Sequence, residues 1–149
     1  MNRKDRITMG KLVEIITSQK AEIRDQSLDK FCRSASTEEL LSECRQLESF
    51  RKESENLYHR VRALFFLYSI HRFHLAFRPG INQEGRIPFE AYDHLLKRRF
   101  EQAIEIFIRI QEDLGLNEGI SSGLAEAYHS LAFHTLADQV RYSVRNTLG

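Results

Sequence analysis

No segment of this chain sustains an apolar/polar alternation of period two. Apolar residues recur instead at i, i+3 and i+4 from Leu12 through Val140. Such spacing gathers side chains onto one face of a helix, so a chain patterned this way folds by packing helices on helices. Its 149 residues include only 7 Gly and 2 Pro, which leaves the helical stretches largely uninterrupted. With 42% apolar and 29% charged residues, the composition is that of a folded domain able to bury one core without disulfide or metal staples. The expectation is a single all-α domain over residues 1–149, made of five to seven helices packed as antiparallel hairpins into a bundle or a short solenoid.

Residues 1–34 read as two short helices, one on Leu12, Val13, Ile15 and Ile16 and one on Leu28, Phe31 and Cys32. Residues 35–77 read as a long helical region. Ser36 and Glu39 have the spacing of a capping box, in which a hydroxyl and a carboxylate each accept from the other residue's backbone N–H. Leu40, Leu41, Cys44, Leu47 and Phe50 then form one face, and the polar run of residues 51–55 interrupts the pattern. It resumes with Leu57, Val61, Leu64, Phe65 and Tyr68 and ends at Arg78, Pro79 and Gly80, where proline cannot continue the backbone ladder. Residues 82–86 read as a loop. Residues 88–146 carry further helices, with a break near Lys97, Arg98 and Arg99 and a glycine-bracketed loop from 115 to 123. Ser121 or Ser122 is expected to cap the last helix.

Within residues 88–146 the spacing resembles the tetratricopeptide repeat. Ala103 and Phe107 match the small and aromatic positions of a repeat's second helix. Leu124, Ala125 and Tyr128 match the first helix of the next, with Ala125 in place of glycine, and Ala137 falls on that repeat's later small position. One period earlier, Ser69 and Phe73 again give small then aromatic. Arg141 and His94 depart from the pattern, and residues 57–77 lack the turn that a full repeat contains, so the resemblance is to a degenerate repeat; other antiparallel hairpins give the same spacing. It implies a groove that binds protein. Residues 120–141 are also similar to the helical N-terminal region of some large bacterial multidomain proteins, which makes the ending at residues 145–149 read as a domain boundary or a truncation.

Lys plus Arg number 22 against 21 Asp plus Glu, a net charge of +1, so no overall field draws the chain to nucleic acid. The longest apolar run, residues 63–70, is too short to span a bilayer, and residues 1–8 lead into no signal-type apolar segment; the expected compartment is the cytoplasm. Cys32 and Cys44 lack any metal or redox spacing and read as core thiols.

No nucleophile elbow, His-Glu-x-x-His helix or supported Cys-His pair occurs, and neither catalytic residues nor a cofactor is expected. Glu126 and His129 have the Glu-x-x-His spacing of di-iron bundles, but in one copy only. Glu55 with His59 and Glu90 with His94 offer further pairs on shared helix faces. His71 and His74 stand near the end of the aromatic helix, where an imidazolium complements the helix dipole. With Tyr68, Arg72 and Arg78 they form a candidate anion pocket. Gly119 through Gly123 reads as a helix-start turn able to meet an anion, and residues 97–99 as a solvated basic face.

The expected function is therefore non-catalytic: a helical domain binding another protein, or another domain of its parent chain, with homodimerisation as a further expectation and neither nucleic acid nor membrane as partner. Exposed members of the set Phe65, Phe66, Phe73 and Phe77 should mark the interface. The alternative is a ligand- or metal-binding bundle with an enzymatic role, which expects His71, His74, Glu126, His129 and His134 to converge.

Overall fold

The computed structural model describes residues 9–81 and 87–148, with side chains as far as Arg141. The loop expected at residues 82–86 lies outside the described residues. Every regular element among the described residues is helical, in keeping with the all-α expectation, and none is long and apolar enough to cross a membrane. They are α1 (Lys11–Thr17), α2 (Ala21–Arg24), α3 (Leu28–Ser34), α4 (Thr37–Glu53), α5 (Leu57–Ser69), α6 (Phe89–Leu96), α7 (Phe100–Leu114) and α8 (Glu118–Leu148). The count exceeds the expected five to seven because α2 is a single turn with no buried side chain, and so has no apolar period to announce it. Contacts gather the chain into two compact units, one ending at Phe66 and the other beginning at Leu67, inside α5.

In the N-terminal unit, α1 buries Leu12, Val13, Ile15 and Ile16, and α4, which packs on it, buries Leu40, Cys44 and Leu47. The expected capping box is present: Glu39 N–H donates to Ser36 Oγ at 3.1 Å, and Ser36 N–H to Glu39 Oε2 at 3.3 Å. Cys32 and Cys44 are buried and in no disulfide, and burial raises the Cys44 thiol well above its ordinary range.

The first turn of α1 has no cap from its own sequence, since Gly10 precedes it. Glu43 of α4 supplies one, its carboxylate accepting from Lys11 N–H and Leu12 N–H at 3.1 Å each. Two orphan donors are thereby satisfied by a negative charge at the positive end of the helix. The Arg62 guanidinium does the converse, donating to the Arg24 carbonyl that ends α2 at 2.6 Å. Glu43→Ala is expected to destabilise the N-terminal unit by about 1 kcal/mol. Urea titration followed by hydrogen exchange of the α1 amides checks this, and unchanged exchange there would remove Glu43 as the cap.

In the C-terminal unit the helix of α5 does not stop at Ser69. It widens into a π turn, Ile70–His74, and tightens into a 3-10 turn, Leu75–Phe77. The Leu75 N–H bonds the Ile70 carbonyl, five residues back. That register stacks Ile70 and Leu75, which an α-helix would set on different faces, and both are fully buried. Phe73 and Phe77 are correspondingly turned outward, 56% and 77% exposed. The chain then turns at Gly80, whose φ of +86° suits a residue without a Cβ.

The longest packed pair is α7 with α8, joined by α6 on α7 and by the π turn on α8. Phe100 meets His134, and Phe107 reaches Gly123. The expected break at residues 97–99 separates α6 from α7.

The start of α8 corrects the expected loop and cap. The helix begins at Glu118, and Asn117 caps it, its Oδ1 accepting from Gly119 N–H at 2.7 Å and Ile120 N–H at 3.2 Å. Ser121 and Ser122 therefore lie inside the helix, Ser121 fully buried, and residues 119–123 form no anion-binding turn. An asparagine one turn earlier took the role because its amide oxygen spans both orphan donors.

Candidate functional site

Three segments of the C-terminal unit enclose an open groove of about 790 Å3. Tyr92, Leu95 and Leu96 come from α6, Arg98 and Phe100 from the following turn and the start of α7, and Glu126, His129, Ser130, Phe133, His134, Ala137 and Arg141 from α8. The residues of α8 recur every three or four positions, so one face of the helix forms a whole wall. Tyr92 and Leu96 are exposed, and Phe133 is 53% exposed, leaving an apolar strip facing solvent along the groove.

Polar groups are unevenly spread around this strip. Glu126 accepts from the Ser130 hydroxyl at 3.4 Å, His134 Nε2 lies 3.4 Å from Asp138 Oδ2, and Arg141 pairs with Asp138 at 3.8 Å. Lys97, next to the groove, is held by Asp93 at 2.9 Å, and that contact holds the Asp93 carboxyl below its ordinary range.

Arg98 is the backbone outlier. It is the one described non-glycine residue with positive φ, at +60°. Its N–H bonds the Leu95 carbonyl at 3.1 Å, and Arg99 N–H bonds the His94 carbonyl at 2.8 Å, the double closure that ends a helix in a Schellman motif. The left-handed position of this motif belongs to glycine by preference, and an L-residue there costs about 1–2 kcal/mol.

No model of a known protein family, no curated protein and no solved structure matches this chain.

The sequence candidates distribute as follows. Glu126, His129 and His134 share the groove wall. Tyr68 lies beside it, its ring 4.7 Å from that of His129 and 5.9 Å from that of Phe73. His71, Arg72, His74 and Arg78 are not among the groove's lining residues, and Phe65 belongs to the N-terminal unit, where it is half-buried. His71 is 2% exposed, stacked on Tyr128 at 5.8 Å with 20° between the rings. Burial lowers its pKa to about 4, so it is neutral at pH 7 and is no cationic helix cap, a correction to the dipole reading. Its Nδ1 has no hydrogen-bond partner among the described residues. Glu90 lies 3.9 Å from Arg109 of α7, and His59 rests against Phe50 and Tyr58. Among the described residues, no three His, Cys, Asp or Glu side chains gather closely enough to hold a metal ion.

The groove residues that the sequence reading passed over are Tyr92, Leu95, Leu96, Arg98, Phe100, Phe133, Ala137 and Arg141. One signal was available for Arg98: a helix break at residues 97–99 containing neither glycine nor asparagine, so that a bulky residue had to take the left-handed position.

Proposed function

We propose that this chain is a non-catalytic helical module for protein–protein or interdomain interaction, and that the groove between α6 and α8 receives an apolar face of a partner helix. The observation that carries the reading is the solvent-facing apolar strip of Tyr92, Leu96 and Phe133 inside a concave wall. An amphipathic helix inserts side chains at i, i+3 or i+4 and i+7 into such a groove. The matching of Phe100 to His134 and of Phe107 to Gly123 supports an antiparallel α7–α8 hairpin, the arrangement from which helical repeats build binding grooves. Phe73, exposed on the π turn, and Phe77, exposed on the 3-10 turn, offer further apolar surface outside the groove lining.

A photo-crosslinking residue placed at Leu96, with a control at exposed Arg33, tests the reading in cells that express the chain from its own locus. The expected result is a protein adduct specific to position 96, whose crosslinked peptides map to a helical segment with apolar residues at that spacing. Identical adducts at both positions, or none at Leu96, would sink it.

A further inference from the structure

Among the described residues, one of the two arginines lining the groove is left without an ion-pair partner. Lys97 is matched by Asp93 and Arg141 by Asp138, whereas Arg98 joins no ion pair among the described residues. It is also the residue held in a left-handed conformation where glycine would sit without strain. Strain retained at a surface turn that packing does not require points to a role for the side chain, because a glycine would close the same Schellman motif. That side chain lines the groove together with Leu96, Phe100 and Phe133. Once a partner helix covers the groove, its apolar walls lower the local dielectric and strengthen an ion pair formed there.

We propose that Arg98 sets the specificity of the groove by pairing with a carboxylate on the acidic flank of the incoming amphipathic helix. This rests on the groove being a docking site for a helix. A guanidinium offers a planar fork that meets a carboxylate through two parallel hydrogen bonds, giving orientation as well as attraction. The wall opposite reinforces the direction. Glu126 stands two turns before His134 on α8, roughly 12 Å along the helix. His134 in turn lies against Phe100, two residues after Arg98. An acidic partner residue is thus attracted at the Arg98 end and repelled at the Glu126 end, so the helix binds in one polarity.

The test is a selection from a displayed library of helical peptides on the intact chain and on Arg98→Gly. On the natural chain, the enriched peptides are expected to share apolar residues at i, i+3 or i+4 and i+7, with Asp or Glu favoured roughly tenfold over Asn or Gln at one flank. On Arg98→Gly the apolar spacing should persist and the acidic preference vanish, while the melting temperature rises by roughly 4 °C as the left-handed strain is relieved. Acidic enrichment that survives in Arg98→Gly, or that is missing on the natural chain, overturns the assignment of Arg98. Loss of the apolar spacing on both chains is a different failure and overturns the docking groove itself.

Discussion

Lowering the pH from 7 to 4 is expected to take about 3 kcal/mol from the stability of the C-terminal unit through His71 alone. His71 titrates near 4 in the folded chain, because burial penalises its charged form, against about 6.5 when unfolded. Between those two values the unfolded chain holds a proton that the folded chain does not, so stability falls as the pH falls. The contribution is intact well above pH 6.5, most of it is gone at pH 4, and the rest is lost as the pH falls through the folded pKa. His71→Leu removes the titration while keeping an apolar side chain against Tyr128, and is expected to change stability at pH 7 by less than about 1.5 kcal/mol. Hydrogen exchange of the α8 amides across this range, in both proteins, isolates the effect from the carboxylates they share. Parallel pH profiles for the two proteins would show that His71 is not buried as described.

How much of this was legible beforehand depends on the range over which each feature is written. The Ser36–Glu39 capping box is completed within four residues, and the buried faces of α1 and α4 repeat within one or two turns, so a reader of the chain finds them directly. The break before α7 was visible for the same reason. The π turn was not, because Ile70 and Leu75 stand five apart, a spacing that α-helical periodicity scatters over two faces. The cap of α1 was invisible too, since Glu43 lies thirty-two positions from Lys11. Asn117 lost to the serines because Gly115 and Gly123 look like the bounds of a loop, although Gly123 is a glycine for a tertiary reason.

The groove shows the same dependence more sharply. Leu96, Arg98 and Phe133 come from three segments, and nothing in the local spacing of any one of them announces the other two. Glu126 and His129 could be singled out since they share one helix face, yet their neighbours across the groove could not. The four histidine and arginine candidates near the end of α5 do not line the groove. The π turn rotates His71 inward and leaves Arg72 outward, so adjacent residues went to different environments.

Gly123→Ala should destabilise the C-terminal unit by about 3 kcal/mol, although helix propensity alone predicts a gain of about 1 kcal/mol for the same change. Gly123 is helical and buried within α8, and the ring of Phe107 rests directly on its backbone. A Cβ there would overlap that ring, with Phe107 Cε1 2.6 Å and Cε2 2.9 Å away. Phe107 is fully buried, so the ring cannot swing into solvent, and the two helices must move apart instead. Because α8 also forms the groove wall, that separation is felt at Phe133 and His134 through their side of the helix. Phe107→Leu removes ring volume at the contact and is expected to cost about 1 kcal/mol alone, but to offset most of the penalty when combined with Gly123→Ala. Thermal and urea unfolding of the two single variants and the double variant decides the matter. A double variant that loses at least about 1 kcal/mol less than the sum of the single losses places the ring on the glycine, whereas additive losses would mean that Gly123 is disfavoured for substitution by something other than Phe107.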